Sequence, residues 1–93
     1  MGKTIFDDRA WDDYVFWQGQ DRKTLKRINN ILQSISRDPF GGIGKAEKLK
    51  SRPNSWSRRI DECNRLVYTV EPSKTNPGEV NIEVIQCKGH YDD

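Results

Sequence analysis

The change of hydrophobic period along the chain is the feature that most limits its possible folds. Apolar residues recur every three to four positions as far as residue 37, and every second position from residue 56 onward. The first period is typical of amphipathic helices and the second of strands with one buried face. A chain of 93 residues is long enough for one domain. We therefore predict a single α+β domain spanning residues 1–93.

Two helices are predicted in the first part of the chain. The first covers Ala10–Gln20, with Asp7 or Asp8 as its N-cap, and the second covers Arg22–Arg37, with Asp21 as its N-cap. The helical spacing predicts that the first helix buries Trp11, Tyr14, Val15 and Gln18. The same spacing predicts that the second helix buries Leu25, Ile28, Leu32 and Ile35.

Strands are predicted at both ends of the chain. Lys3–Phe6 is a short candidate strand before the first helix. Alternating apolar residues that start at Trp56, Leu66 and Val80 predict three more strands, the last two joined by the turn-rich segment Pro72–Gly78. The predicted order is β-α-α-β-β-β, with a mainly antiparallel sheet and both helices on one of its faces.

Positive charge is concentrated in the middle of the chain, although the net charge of the whole chain is only +2. Residues 22–65 contain 12 basic and 4 acidic side chains, whereas both flanking segments are net negative. Such a concentration is typical of proteins that bind a polyanion. The alternative is a basic surface that only faces solvent. We favour an anionic partner, because the basic excess is large for a segment of this length.

Other functions are disfavoured by the residues that the chain lacks. Cys63 and Cys87 form no CxxC pair, and a zinc site lacks ligands when the chain has one His. We expect reduced, partly buried thiols, no metal and no cofactor. The glycine-rich segment 41–45 departs from the nucleotide phosphate loop at Pro39 and Ala46. No apolar run approaches the ~20 residues that span a bilayer, so we expect a cytoplasmic protein without a membrane partner.

The chain contains residues that can cleave RNA without a metal. Attack by the 2′-hydroxyl of the RNA requires a base, an acid and a cation near the phosphate. His90 is the candidate acid. The candidate bases are the carboxylates of the basic segment: Asp38, Glu47, Asp61 and Glu62. Glu47 lies among three lysines, and composition alone favours an ordinary surface ion pair for it.

Several cations are available for a phosphate. Arg59 and Arg65 lie on the strand face opposite the apolar residues, where they would bind a phosphate or pair with Asp61 or Glu83. Lys45 is also available to a phosphate. Four cations at the start of the second helix oppose the helix dipole, which suggests an external anion as much as ordinary surface charge. These are Arg22, Lys23, Lys26 and Arg27.

The order and spacing of short motifs resemble the YoeB toxins of the RelE-like toxin superfamily over nearly the whole chain. The motifs are WDDY at 11–14 with Trp17, KRIN at 26–29, RDPF at 37–40, GIGKAEKLK at 42–50, WSRRI at 56–60, NRLVY at 64–68 and HY at 90–91. Each piece is weak alone, but the set is specific. The resemblance implies a RelE-like fold and a toxin of a type II toxin–antitoxin system.

The resemblance also implies an activity, partners and residue roles. Toxins of this family are ribosome-dependent endoribonucleases that cut mRNA in the decoding A site without a metal, and a YefM-like antitoxin neutralises them. The implied general base is Glu47, the general acid is His90 and the phosphate stabiliser is Arg65. Lys50 and Arg59 are implied as supporting phosphate or ribosome contacts, and Tyr91 as the residue that orients the substrate. A homodimer is compatible with the family.

The four helix cations are implied as contacts to RNA of the 70S ribosome, and we extend this expectation to Lys45. Three features differ from the family pattern: Ala46 replaces a proline, the turn Pro72–Gly78 is longer than the usual hairpin turn, and Asp92 and Asp93 follow the His-Tyr pair. These two carboxylates would either repel RNA phosphates or form a harmless tail. The alternative function is therefore a module that binds RNA or the ribosome and blocks translation without cleavage.

Overall fold

The computed structural model describes residues 2–93, which form two helices and a five-stranded mixed sheet. The elements are β1 (Thr4–Phe6), α1 (Asp8–Gln20), α2 (Arg22–Arg37), β2 (Glu47–Lys48), β3 (Ser55–Arg59), β4 (Arg65–Pro72) and β5 (Val80–Gln86). The strand order is β1-β5-β4-β3-β2, in which β1 pairs parallel with β5 and the other neighbours are antiparallel. The predicted α+β class is confirmed. The prediction missed β2, because a strand of two residues is too short to show a period.

The N-caps of both helices lie where the sequence predicts them. The Asp7 carboxylate accepts a hydrogen bond from the backbone N–H of Ala10 at 2.9 Å, so α1 begins at Asp8. This start is two residues earlier than predicted. The Asp21 carboxylate accepts from the N–H groups of Lys23 and Thr24, and the bounds of α2 match the prediction. Each carboxylate satisfies amides that a helix leaves unpaired in its first turn.

Both helices pack against the same face of the sheet, as predicted. The buried core combines residues of both helices, inward-facing residues of β4 and β5, and the two residues that directly follow β3 and β5: Ala10, Trp17, Ile28, Ile31, Ile35, Ile60, Leu66, Tyr68, Val70, Ile82, Val84 and Cys87. Ile31 was not in the predicted stripe of α2, whereas Leu25 and Leu32 are only partly buried. The core stripe of α2 is therefore wider than the predicted one.

The predicted buried face of α1 is wrong in part. Trp11 is 53% exposed and Val15 is 47% exposed, whereas Ala10 and Trp17 face the sheet. The small side chain of Ala10 lets the helix approach β5 closely, where the Cys87 thiol donates to the Ala10 carbonyl at 3.6 Å. The indole N–H of Trp17, seven residues later on the same face, donates to the Cys87 carbonyl at 2.8 Å. The close packing at Ala10 and the hydrogen bond of the Trp17 indole determine which face of α1 is buried.

A buried arginine fixes the segment between α2 and β2. The Arg58 guanidinium donates to the Ser34 hydroxyl at 2.8 Å, to the Ile43 carbonyl at 3.1 Å and to the Asp38 carbonyl at 2.7 Å. Its Nε donates to the Tyr68 hydroxyl at 3.0 Å. Burial raises the pKa of Tyr68, and the hydrogen bond and positive charge of Arg58 lower it by a smaller amount, so the net direction is upward. The hydrogen bonds of Arg58 to the Asp38 and Ile43 carbonyls hold the glycine-rich segment against the sheet.

Both cysteines in the described part of the chain are free, but only one is accessible: Cys63 is exposed and Cys87 is buried. The prediction of partial burial for both is therefore inaccurate. Within residues 2–93, no cluster of three or more His, Cys, Asp or Glu side chains is arranged to hold a metal ion. Neither described helix has the length and apolar character needed to cross a membrane.

Candidate functional site

The sheet face opposite the helices, hereafter the open face, carries the candidate catalytic residues. Strand alternation directs Arg58 of β3 towards α2, so its neighbours Ser57 and Arg59 face the other way. Ser57 pairs with Glu47 of β2, and Arg59 pairs with Arg65 of β4. Antiparallel register therefore brings the candidate base and the candidate phosphate-binding arginines to one surface.

Arg65 is held in place by two neighbours on the open face. Its Nε and Nη2 donate to the Ser57 hydroxyl at 3.1 and 2.9 Å, and Nη2 lies 3.5 Å from Oε1 of Glu47. The expected pairing of arginine with Asp61 or Glu83 is not the one observed for Arg65. Asp61 instead accepts from backbone amides of its own turn at 2.8 Å.

The segment that carries His90 crosses to the open face beside Arg65. The backbone N–H of Arg65 donates to the Gly89 carbonyl at 2.9 Å, and the Gly89 N–H donates to the Asn64 side chain at 2.8 Å. Gly89 has a φ of +88°, a conformation that glycine adopts without strain. The buried amide of Gln86 donates to the His90 carbonyl at 3.2 Å. Three hydrogen bonds therefore fix the backbone of residues 89 and 90, and the His90 side chain is exposed.

Asn64 and Gln86 position the site, and the sequence interpretation missed both. Gln86 offered one signal, because it is a polar amide at the end of an apolar alternating strand and is only 3% exposed. A buried amide needs hydrogen-bond partners, which the carbonyls of residues 88–90 supply. Asn64 offered no comparable signal, because its partner lies 25 residues away.

The last described residues contact the loop that follows β2. The Tyr91 hydroxyl lies 3.3 Å from the Ser51 hydroxyl. The Asp93 carboxylate accepts hydrogen bonds from the backbone N–H of Lys50 at 2.9 and 2.8 Å and from that of Ser51 at 2.8 Å. These bonds, with that from Lys50 as the largest cause, lower the pKa of Asp93. The expected substrate residues Tyr91 and Lys50 therefore lie in one cluster.

The remaining predicted cations divide into two groups. Arg27 donates to the Arg59 carbonyl at 3.1 Å, and the Arg59 N–H donates to the carbonyl of Gly44, the residue before Lys45. Arg27 and Lys45 are therefore linked to the end of β3 that carries Arg59. The other group forms the exposed start of α2: Arg22, Lys23 and Lys26.

The open face has the groups needed for acid–base chemistry at a phosphate. It carries the Glu47 carboxylate, which can accept a proton, and the Arg65 guanidinium, which can bind phosphate oxygens. The terminal segment beside Arg65 carries the His90 imidazole, which can donate a proton. Arginine suits the central position because its planar fork matches two phosphate oxygens and remains charged at any physiological pH. Because Glu47, Arg65 and His90 come from two separate strands and a terminal segment, only the folded chain brings them together.

Comparison with known proteins identifies the family. A family model described as a YoeB-like toxin of bacterial type II toxin–antitoxin systems matches residues 6–91. The chain is 44% identical over 90 residues to a Toxin YoeB of Streptomyces coelicolor. The alignment covers 96% of this chain and 99% of that toxin.

Solved structures agree with this match. A YoeB dimer from Staphylococcus aureus superposes with a TM-score of 0.80 at 41% identity, covering 97% of this chain and 98% of that one. The toxin of a YoeB–YefM complex from the same organism gives a TM-score of 0.78 at 38% identity, covering 98% and 99% of the two chains. The chain therefore belongs to the YoeB-like toxin family of bacterial type II toxin–antitoxin systems.

Proposed function

We propose that the chain is a metal-independent, ribosome-dependent endoribonuclease that cuts mRNA in the decoding A site and so inhibits translation. One observation carries the proposal. Arg65 contacts Glu47 through its side chain at 3.5 Å and binds the residue before His90 through its backbone N–H at 2.9 Å. Arg65 thus links the candidate base to the segment that carries the candidate acid.

The proposed reaction uses the 2′-hydroxyl of the RNA as the nucleophile. Glu47 accepts the proton of this hydroxyl, and the 2′-oxygen forms a bond to the adjacent phosphorus. The bond from phosphorus to the 5′-oxygen breaks, and His90 donates a proton to that oxygen. The products are a 2′,3′-cyclic phosphate and a 5′-hydroxyl. Arg65 stabilises the additional charge on the phosphate oxygens in the transition state.

The surrounding residues would bind and orient the RNA. Lys50 and Arg59 are both exposed, and we assign them to phosphate or ribosome contacts. Tyr91 presents an aromatic ring on which a base can stack. We assign contacts to ribosomal RNA to the exposed cations of α2, which are Arg22, Lys23 and Lys26. Arg27 and Lys45 would contribute to the same contacts. This assignment agrees with the concentration of basic side chains in residues 22–65.

Two protein partners are proposed from the comparisons. A similar toxin forms a complex with YefM, which supports a YefM-like antitoxin as the neutralising partner of this chain. A second similar toxin forms a dimer, which supports a homodimer. An acidic antitoxin segment that covers the open face would occlude Glu47 and Arg65, and it would approach the terminal segment that carries His90.

Primer extension on a defined mRNA tests the activity. The purified chain is incubated with the mRNA, with and without translating ribosomes and without added metal. We expect cuts only in the presence of ribosomes, and we expect Glu47→Ala and His90→Ala to abolish them while leaving the thermal midpoint close to that of the wild-type chain. Glu71→Ala is the matched control, since Glu71 is an exposed carboxylate elsewhere on β4.

The outcomes separate the competing functions. Loss of cutting in both variants but not in Glu71→Ala supports the proposed base and acid. Cutting at the wild-type rate by a folded Glu47→Ala and His90→Ala double variant would contradict the mechanism. Intact mRNA on stalled ribosomes would instead support a module that binds the ribosome without cleavage.

A further inference from the structure

The Asp93 carboxylate occupies a small anion-binding site whose role the proposed catalysis does not explain. Two successive backbone N–H groups, of Lys50 and Ser51, donate to it through three short contacts of 2.8–2.9 Å. Consecutive amides that converge on one point form a concavity typical of phosphate sites. The Ser51 hydroxyl lies beside this pair and contacts Tyr91 at 3.3 Å.

This amide pair belongs to the surface that the proposed substrate would cross. Lys50 and Ser51 follow β2, which carries Glu47, and Tyr91 follows the proposed acid directly. The side chains of Lys48, Lys50 and Arg52 are exposed in the same segment. The surroundings of the amide pair are therefore cationic, which favours a phosphate as well as a carboxylate.

The bound carboxylate is held only by contacts that solvent can replace. Asp93 is exposed, and so are Lys50 and Ser51. Exposed hydrogen bonds contribute little net free energy, because water replaces them when they break. The hydrogen bonds from Lys50 and Ser51 lower the pKa of Asp93, as expected where amides favour a negatively charged ligand.

We propose that the amides of Lys50 and Ser51 are an RNA phosphate subsite, and that Asp93 is an internal competitor that an RNA phosphate displaces. This inference rests on the proposed function for the identity of the ligand as RNA. A phosphodiester has two unesterified oxygens and so reproduces the paired acceptors of the carboxylate. The apparent affinity for phosphate then equals the intrinsic affinity multiplied by the fraction of molecules in which the subsite is free.

Nuclear magnetic resonance of the labelled chain tests the subsite independently of cleavage. Inorganic phosphate is titrated into the wild-type chain, Asp93→Ala and Asp92→Ala, while the backbone amide signals of Lys50 and Ser51 are followed. Asp92→Ala is the matched control, because it removes the same charge one residue earlier. We expect about three- to tenfold tighter phosphate binding in Asp93→Ala than in the other two chains.

Cleavage kinetics with ribosomes give a second measurement on the same three chains. Displacement predicts a KM for Asp93→Ala that is lower by the same factor, with kcat unchanged. A fall in kcat at constant KM would overturn the proposal, because it would show that Asp93 instead positions His90 and Tyr91. Absence of cleavage by all three chains would contradict the endoribonuclease function but leave the phosphate titration interpretable.

Two results of the titration would overturn the subsite. Equal phosphate affinities for Asp93→Ala and Asp92→Ala would show that general charge, and not release of the amides, controls binding. A response of the two amides to acetate but not to phosphate would point to a protein carboxylate as the ligand in place of RNA.

Discussion

Two neighbouring arginines of β3 have opposite environments because successive strand residues face opposite sides of the sheet. Arg58 is fully buried and donates to Ser34, Ile43, Asp38 and Tyr68, whereas Arg59 is exposed. The sequence gives both the same residue type, so only the strand alternation distinguishes their roles.

Arg58→Met is expected to destabilise the fold by roughly 2–4 kcal/mol, because it leaves buried acceptors without a donor. Arg59→Met serves as the control and is expected to change stability by less than about 0.5 kcal/mol. Urea unfolding followed by tryptophan fluorescence measures both. Equal effects of the two substitutions would contradict the structural role assigned to Arg58.

Arg65→Ala is expected to raise the barrier to RNA cleavage by ~2.7–4 kcal/mol, because it removes a cation from the transition state. The effect should appear in kcat more than in KM. Arg65→Lys keeps the charge but loses the fork, and we expect it to recover only part of the rate. Single-turnover cleavage on programmed ribosomes measures the rates, and a wild-type rate for Arg65→Ala would exclude the proposed role.

The two thiols are expected to react at very different rates. Burial first, and the nearby Asp13 carboxylate second, raise the pKa of Cys87 to about 12, whereas Cys63 is exposed. Since the thiolate is the reactive form, an aromatic disulfide reagent should modify Cys63 in the native chain and Cys87 only after unfolding. Mass spectrometry of the modified chain identifies the site. Prompt modification of Cys87 in the native chain would contradict its burial.

The elements were predictable where a local pattern spans several turns or strand residues. The bounds of α2 match because its apolar stripe runs without a break from Leu25 to Ile35, between the cap Asp21 and the pair Asp38-Pro39. The rotation of α1 was not predictable, because apolar residues occur on more than one side of that helix. Contacts of Ala10 and Trp17 with Cys87, at the end of β5, decided which side is buried.

The cap of α2 is expected to give a defined pH dependence of stability. Hydrogen bonds from Thr24, the side-chain bond first, lower the pKa of Asp21 from 3.8. A lowered folded-state pKa contributes stability that is fully present above the unfolded-state pKa and is lost as pH falls through the folded-state pKa.

Asp21→Asn keeps an effective cap but does not titrate. Between about pH 5 and about pH 2.5, we therefore expect the wild-type chain to lose more stability than Asp21→Asn. Thermal unfolding across this range measures the difference. Equal losses of stability in the two chains would show that protonation of Asp21 does not affect the stability of the fold.

At the scale of the whole molecule, the basic segment covers parts of both layers. It supplies the exposed start of α2 as well as β2, β3 and the beginning of β4. Cations of the helix layer and of the open face meet where Arg27 donates to the Arg59 carbonyl. A large polyanion such as a ribosome can contact both layers at once, whereas a small ligand cannot.

A triple variant of Arg22→Ala, Lys23→Ala and Lys26→Ala is expected to bind ribosomes more weakly and with a shallower salt dependence. Each lost phosphate contact should reduce the slope of log affinity against log salt by roughly 0.7–0.9. Cosedimentation at two salt concentrations measures this slope. Stability should not fall, because cations at the start of a helix oppose its dipole.

The control for this variant removes charges outside the basic segment. Lys3→Ala with Lys74→Ala changes two exposed cations, and we expect it to keep the salt dependence of the wild-type chain. If the triple variant keeps the wild-type slope of log affinity against log salt, the helix cations do not contact ribosomal phosphates and are ordinary surface charges.

Local patterns in the sequence determined the class of fold, the helices, the main strands and the faces on which the alternating residues of β3, β4 and β5 lie. These follow from the backbone geometry of helices and strands, which repeats every few residues. Only the tertiary structure decided which distant residues meet: Arg65 with Glu47 and Gly89, and Lys50 with Asp93 across 43 positions. Such contacts depend on strand register and on packing between layers, and neither is encoded in a local period.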